Sequence, residues 1–445
     1  MFSKILVANR GEIAVRIIRA LKEMGVQSVA VYSSADREAL HVGLADEAVC
    51  IGAGPVTDSY LNMQSILSAA VCMKVDAIHP GYGLLSENAR FAELCEKCGI
   101  SFIGPSADTI RAVGDKEGAR RAMSAAGIPI VPGTDVIDDA DEAYFEAEKL
   151  GFPLVIKARS GGGGRGIRVV TESGEFQTAF ETARSEAEAS FGDGGCYLEK
   201  YIDGAKHIEV QLIADDHGNT VCLGERDCSV QRRRQKIIEE SPGPTVTPEL
   251  RDALIAAAVK AAKVSSYSGV GTVEFLVMPG GAFFFMEINA RLQVEHPVTE
   301  TVTGIDLVKW QIRVAAGAEL PFKQEEVRFG GHAIECRVNA ENPARNFLPS
   351  VGRIEELHVP GGPWVRFDSA IYSGYDIPPF YDSMIGKLIV HASTREEAIR
   401  KMRAALCELV IVGVSHNIDF LMEILASPEF IEGSFQTNTL EKGGV

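Results

Sequence analysis

Nowhere in the 445 residues is there a run of 18 apolar side chains, so the sequence offers no membrane-spanning helix. Positive charge is also scarce. Lys and Arg number 44 against 61 Asp and Glu, and the net charge of −17 argues against a nucleic-acid surface. The nine cysteines are odd in number and lack the spacing of a small disulfide-bonded domain, so they read as reduced thiols of a cytoplasmic protein. Cys95 and Cys98 make one CxxC, but no second pair follows, and neither zinc nor redox chemistry is expected there. No internal repeat and no low-complexity tail appears. "MFSKILVANR" at the start reads as a first core strand rather than a signal peptide, so export is not expected.

What is present is an ordinary globular composition, 46% apolar and 24% charged, in a chain long enough for about three domains. Residues 1–113 alternate strand and helix. "KILVA" runs through Asn9-Arg10-Gly11 into "EIAVRIIRALKEMG", where Ile13, Ile17, Leu21 and Met24 fall near helical spacing and Gly25 stops the helix. "SVAVYSS", "DAIHPGYG" and "ISFIGPS" follow as strands, which predicts a doubly wound parallel sheet in an α/β fold. A short helix in 114–130 links to a smaller unit over about 131–201. Strand-rich sequence runs on to about 300 and again over 330–395, and two helices, "TREEAIRKMRAALCELV" and "NIDFLMEILAS", close the chain.

The stretch "VIKARSGGGGRGIRVV" holds four consecutive glycines, Gly161 to Gly164, and then Gly166. A Walker A loop needs Gly-Lys-Ser/Thr leading into a helix, and a dinucleotide fingerprint also needs a helix next; here "IRVV" follows instead. The glycines therefore join two strands, either as a plain hairpin tip or as a flap whose amides close over phosphates. Five glycines are an entropically costly way to build a plain tip, which favours the flap. Lys157 ends the first strand within reach of the same phosphates.

In "GTVEFLVMPGGAFFFMEINARLQVEHP", Gly280-Gly281 reads as a two-residue hairpin turn. Centring it there places Glu274 opposite Glu287. Facing carboxylates repel, and a cation between them reverses that effect. Asn289, two residues on, adds an oxygen, a set suited to a hard ion such as Mg²⁺ or Mn²⁺. A turn of odd length would shift the register and separate the pair. Further on, Glu287, Asn289, Arg291, Gln293 and Glu295 alternate with apolar residues, as an edge strand or as an active-site row at most roughly 26 Å long. The basic run "QRRRQK", Gln231 to Lys236, lies between acidic flanks and reads either as a solvated face or as a local anion pocket.

These motifs, in this order, resemble the biotin carboxylases, which are ATP-grasp enzymes. The matching pieces are "ANRGEIAVR", "HPGYGLLSEN", "GDK", "KARSGGGGRGIRVV", "YLEKYI", "ERDCSVQRRRQK", "MEINARLQVEHPVTE", "ECRVNAENP" and "YDSMIGKL". The resemblance implies an N-terminal domain over 1–113, an ATP-grasp domain over 114–317 with a mobile lid at about 131–201, and a mainly antiparallel β domain with terminal helices over 330–445. It implies that Lys116 and Lys157 hold the ATP phosphates, with Gly163 and Gly164 in the lid. Glu199, Lys200 and Ile202 would meet the adenine edge, and His207, Gln231 and Arg234 would also contact nucleotide. Arg234 replaces the His usual in the family, which puts that contact in question.

Glu274, Glu287 and Asn289 would hold the metals, two Mg²⁺ or Mn²⁺. Lys236, Arg291, Gln293 and the Val294 backbone would clamp bicarbonate, with Glu295 as general base and Arg337 stabilising charge on biotin. The implied reaction phosphorylates bicarbonate with ATP and passes the carboxyl group to biotin, as the first half-reaction of an acetyl-CoA carboxylase of fatty acid synthesis. The near alternative is the same role in another acyl-CoA or pyruvate carboxylase. Lys74 in "VCMKVDA" is the nearest thing to a biotin-accepting lysine and reads as a surface lysine, so biotin is expected on a separate carrier protein and the carboxyltransferase on separate subunits. A homodimer, with no nucleic acid or membrane partner, is expected. Two other readings remain: an ATP-grasp carboxylate-amine ligase, which leaves Arg291, Glu295 and Arg337 together unexplained, and a nucleotide-binding regulatory module without turnover.

Overall fold

The computed structural model describes residues 1–159 and 166–443. Strands β1 (Lys4–Val7), β2 (Gln27–Ser33), β3 (Glu47–Gly52), β4 (Ala77–His79) and β5 (Ser101–Phe102) form a parallel sheet in the order β3-β2-β1-β4-β5. This is the doubly wound pattern expected from the alternation of strand and helix. Helix α1 (Gly11–Met24) buries Ile13, Ile17 and Leu21 and ends where Gly25 takes the left-handed conformation, its N–H reaching the carbonyls of Leu21 and Lys22.

Helix α2 (Lys116–Ala125) starts at Asp115, whose carboxylate accepts the Gly118 N–H, and so presents Lys116 in its first turn. A small antiparallel sheet follows, with β6 (Leu154–Ala158) between β7 (Ile167–Val170) and β8 (Cys196–Lys200). Pairing of Leu154 with Val170 through Lys157 with Ile167 makes the glycine-rich stretch a strand-to-strand connection. Gly161 to Gly164, including the expected lid residues Gly163 and Gly164, lie outside the described residues. Helices α3 (Ala140–Leu150) and α4 (Phe176–Phe191) cover this sheet. Ala143, Ala147, Ile156, Phe176, Phe180 and Leu198 give the unit a core of its own.

The third sheet is the largest: β9 (Lys206–Ala214), β10 (Thr220–Arg232), β11 (Gln235–Ser241), β12 (Gly269–Val277), β13 (Phe283–Asn289), β14 (His332–Asn339), β15 (Val365–Ser369) and β16 (Met384–Ala392). Its order is β13-β12-β9-β10-β11-β14-β16-β15, antiparallel throughout. It does not stop at the composition change near 317–330. Pairing of β11 with β14 carries it across, because either strand alone would leave an unpaired edge. Helix α5 (His296–Thr303) follows β13. The closing helices α6 (Arg395–Glu408) and α7 (Ile418–Ala426) form where the sequence predicts them, and Met402, Leu406, Leu421 and Leu425 pack with Leu388 and Val390 of β16. Among the described residues no helix is long and apolar enough to cross a membrane.

Candidate active site

Glu274 and Glu287 do face each other in the β12–β13 register, but not by the route the sequence suggests. The connection is a three-residue turn, Pro279-Gly280-Gly281, closed by the Met278 N–H on the Ala282 carbonyl. Phe275 consequently pairs with Phe285 and Val277 with Phe283, an offset that would put the two glutamates out of line. An irregularity between Glu274 and Phe275 absorbs Met286 as an extra residue, a β-bulge that restores the pairing of Glu274 with Glu287 and Thr272 with Asn289.

Across the sheet, Glu274 also faces Glu209, and Glu209 faces Arg226. The Lys236 ammonium lies among three carboxylates, 2.7 Å from Glu209, 3.1 Å from Glu274 and 2.6 Å from Glu295. Arg226, fully buried, closes the other side of Glu209 at 2.5 Å. Glu274 takes four donors: Lys236, Asn289 Nδ2 at 2.9 Å, Gln293 Nε2 at 3.1 Å, and His207 Nε2 at 2.9 Å. The Gln231 amide donates to His207 Nδ1 at 2.7 Å, which leaves Nε2 as the donor to Glu274.

Glu287 has a different neighbourhood. Its carboxylate is 37% exposed and lies 3.5 Å from the Lys116 ammonium. The described groups of acidic, His and Cys ligand atoms close enough to share one ion are His207–Glu209–Glu274 and Glu209–Cys228–Glu295, and Lys236 touches carboxylates of both. Two carboxylates and an amide oxygen still suit a hard divalent ion. Among the described residues the Asn289 Oδ1 accepts only a 3.3 Å contact from Arg291, and Glu287 holds its lysine beyond tight hydrogen-bond range, so those oxygens are open to such an ion. Glu274 would give up one of its four donors to join them.

The alternating row does not continue as a strand. β13 ends at Asn289, and residues 290–295 form an irregular loop that enters α5 at His296-Pro297. The side chains of this loop satisfy its own carbonyls, with Arg291 donating to Leu292 at 3.1 Å and His296 Nδ1 to Gln293 at 2.8 Å. Its chain reversal brings Gln293 back onto Glu274 and Glu295 onto Lys236. The row of some 26 Å expected for an extended strand is therefore replaced by a cluster in which the expected metal and anion ends share Glu274 and Lys236. Arg291 reaches Glu87 at 2.8 Å as well as Gln293 at 2.9 Å, and Glu87 also accepts the Ala290 N–H.

Glu295, with no exposed side-chain surface, is gripped between Lys236 and Arg337, the latter at 2.9 Å. Burial alone would raise its pKa, but the charges of Lys236, Arg337 and Arg226 overcome it and hold the carboxyl well below the usual range. Lys236 is driven the other way: burial opposes its charge, and Glu209, Glu274 and Glu295 raise its pKa well above normal. Arg337 also binds Glu239 at 2.6 Å. Glu239 is pushed up to about 7 by burial, against the pull of Arg337 and with the added repulsion of Glu295.

The basic run is divided by a tight hairpin rather than pointing one way. Arg233 and Arg234, both at positive φ, are its two turn residues, and Gln231 pairs across it with Lys236. Gln231 and Lys236 face the cluster, Arg232 stacks 3.8 Å over Phe347, and Arg233 donates to Asn346 at 3.0 Å. Neither reading of "QRRRQK", solvated face or local anion pocket, holds for the whole run: alternation along a strand pair sends only Gln231 and Lys236 toward the cluster. Arg234 stands at the tip.

Among the residues expected to meet nucleotide, Lys157 is in close contact with Glu199, which Arg120 also approaches at 3.4 Å. Lys200 points away from its neighbours on β8 and donates to the carbonyls of Gly151 and Phe152, at 2.9 and 3.2 Å, while Ile202 is half-buried just beyond the strand. Lys74 is exposed in a left-handed turn after a helix, not at a β-hairpin tip.

Three family models match in succession: the N-terminal domain of biotin carboxylase over residues 1–110, the ATP binding domain of the carbamoyl-phosphate synthase L chain over 115–323, and the C-terminal domain of biotin carboxylase over 335–442. Biotin carboxylase 1 of Bacillus subtilis (strain 168) is 54% identical over 99% of this chain and 98% of its own. The chain belongs to the biotin carboxylase family. As a biotin carboxylase it is an ATP-grasp ligase, with Lys116 through Glu295 in the ATP-binding portion and Arg337 brought in from the C-terminal one. A pyruvate carboxylase polypeptide of Methanothermobacter thermautotrophicus (strain Delta H) is 52% identical over 99% of this chain and 90% of its own. Among solved biotin carboxylases, the dimeric domain of the Hydrogenobacter thermophilus 2-oxoglutarate carboxylase, in complex with MgADP, ADP and bicarbonate, superposes with a TM-score of 0.96. Its identity is 49%, over 99% of this chain and 98% of that one.

Glu209, Arg226, Glu239 and Glu87 were not among the residues assigned from sequence. Glu209 had a signal, the polar face of "HIEVQL" that also carries His207. Glu87 and Arg226 stand in the family-like motifs "HPGYGLLSEN" and "ERDCSVQRRRQK" without a role that spacing assigns, and Glu239 had no signal, because the partners of all three are set by strand pairing and loop closure.

Proposed function

We propose that this chain carboxylates biotin, held on a separate carrier protein, using bicarbonate and ATP. The observation that carries the reading is Glu295, a fully buried carboxylate held between Lys236 and Arg337 next to Gln293 and Arg291. Lys236 and the Arg291 fork offer a bicarbonate anion the cations it needs, and Gln293 and the Val294 backbone complete a flat oxyanion site. An anion there competes with Glu295 for Lys236. That competition weakens the hold on the carboxylate and raises its basicity toward the bicarbonate proton.

Bicarbonate oxygen then attacks the γ-phosphorus of ATP, ADP leaves, and carboxyphosphate forms. It breaks into CO₂ and phosphate. The biotin ureido nitrogen attacks CO₂, its proton passing to the phosphate, and Arg337 stabilises negative charge on the ureido oxygen. Lys116, Lys157, His207, Gln231 and Arg234 would attend the nucleotide. Glu274, Glu287 and Asn289 would hold Mg²⁺ or Mn²⁺, two ions, which neutralise the phosphates as charge moves.

The carboxyl acceptor belongs to the partner carboxyltransferase. An acetyl-CoA carboxylase of fatty acid synthesis is our first assignment. The pyruvate and 2-oxoglutarate carboxylases among the relatives keep those acceptors as the second. We also assign it a homodimeric state and a cytoplasmic setting. The test is ATP hydrolysis by the purified chain. It should require bicarbonate, rise with free biotin and yield carboxybiotin. Hydrolysis indifferent to bicarbonate and stimulated by an amino acid would make it a carboxylate-amine ligase, and nucleotide binding without turnover would make it a regulatory module.

A further inference from the structure

Among the described residues the loop 290–295 has no strand partner, so something else must hold its peptide planes. A trans peptide is rigid, and fixing a carbonyl fixes the N–H on its far side. Val294 lies between two such planes. The plane shared with Gln293 is held through the Gln293 carbonyl, which accepts a short bond from His296 Nδ1 at 2.8 Å and a longer one from the His296 backbone N–H at 3.3 Å. The plane shared with Glu295 is held through the Val294 carbonyl, which accepts from the Lys387 ammonium at 2.7 Å.

Lys387 comes from β16, far along the chain, and its side chain is fully buried. A buried ammonium is costly unless it is well paired. In the sheet register Lys387 stands between a cation, Arg337, which repels it, and an anion, Asp368, on the other side. Glu12 of α1 offsets this at 3.1 Å, and Tyr82 donates to the same Glu12 oxygen. A lysine kept there, tying α1, β16 and the loop at one point, does more than fill space. A methionine would fill it without the desolvation cost. His296 is buried too, and its Nε2 has no hydrogen-bond partner among the described residues, so the Nδ1 contact is the one hydrogen bond its side chain makes there.

We infer that Lys387 and His296 are positioning residues for the proposed reaction, which lock the two peptide planes at Val294 and so aim its amide and the Glu295 backbone at the bicarbonate anion. The inference rests on the reading of this loop as the bicarbonate site.

The test measures KM for bicarbonate and for ATP separately, in bicarbonate-dependent ATP hydrolysis by the full chain. Lys387→Met should raise the bicarbonate KM about tenfold or more, the loss expected for one charge-assisted hydrogen bond, and leave the ATP KM within about twofold. His296→Asn keeps a donor near the Nδ1 position and should stay near wild type, whereas His296→Gln loses it and should follow Lys387→Met. A bicarbonate KM unchanged in Lys387→Met, or both KM values rising together, overturns the inference. So does identical behaviour of the two His296 variants, a pair that decides alone if Lys387→Met fails to melt cooperatively. Arg291→Met and Gln293→Ala serve as controls. If they leave the bicarbonate KM alone, the reading of the loop falls and the inference with it; if they raise it and Lys387→Met does not, only the positioning role is lost.

Discussion

Around Glu295 the carboxylates of Glu209, Glu239 and Glu295 have no exposed surface, and their cations Lys236, Arg226 and Arg337 keep 17% or less. At the other end of the site Lys116 and Glu287 keep 30% and 37% of theirs in solvent and stand 3.5 Å apart. The first arrangement is a dense, nearly dry ion cluster with strong fields and groups already in place. The second is a screened pair of the kind worth less than about 1 kcal/mol. The contrast matches what the proposed reaction asks of each end. Bicarbonate is small and unreactive, so its site has to be built in advance. A triphosphate with its metal brings its own charge, and in the proposed reading it meets Lys116 loosely parked on the exposed Glu287.

The largest break in this comparison should come from Glu295→Gln. Bicarbonate-dependent ATP hydrolysis is expected to fall by about 10²–10⁴ in kcat, the usual worth of a general base, while nucleotide binding measured by calorimetry persists. A loss under tenfold would make Glu295 merely structural. Arg337→Met should come next. Carboxybiotin formation, followed with labelled bicarbonate, should drop about 10²-fold, and ATP hydrolysis without biotin should suffer less.

Stability sharpens the contrast further. Lys236→Met takes the shared cation from three buried carboxylates and should cost roughly 3–5 kcal/mol in denaturant unfolding, whereas Lys116→Met should cost less than about 1 kcal/mol. Equal costs would mean that the two ends are not built differently after all.

The smallest effect concerns pH. Glu239, held at about 7 chiefly by burial, binds its proton more tightly folded than unfolded. Its contribution to stability is therefore full below about pH 4.5, the ordinary glutamate range, and is lost as pH rises through 7. The difference in Tm between wild type and Glu239→Gln should be most favourable to wild type near pH 5 and shrink by pH 8. A difference that grows with pH would refute the assignment. Glu295, whose pKa is depressed by Lys236 and Arg337, acts in the opposite sense, its contribution disappearing as pH falls below the usual carboxylate range.

Much of the fold was legible in advance where one local rule decides. The spacing of Ile13, Ile17 and Leu21 and the stop at Gly25 define α1, and β-like runs on both sides of the glycines define the β6–β7 pair. The facing of Glu274 and Glu287 was also legible, although it depended on two features that cancel, an odd turn and a bulge at Met286, neither written in residue type. The row beyond Asn289 was read as strand because its polar residues alternate. The chain instead turns, since side chains, not a neighbouring strand, take up the carbonyls of Leu292, Gln293 and Val294.

By itself the sequence determined which chemical groups are available and which short segments are helix, strand or turn, because those choices are settled by neighbours a few residues away. Only the tertiary structure decided that Lys236 would serve three glutamates at once, that Arg337 would divide itself between Glu239 and Glu295, and that Lys387 would reach the Val294 carbonyl. Those contacts span 42 to 98 residues of chain in the cases of Glu295 and Glu239 with Arg337, and 93 in that of Lys387. Strand order, register and loop closure create them, and desolvation gives them their strength, so nothing local to either partner reveals them.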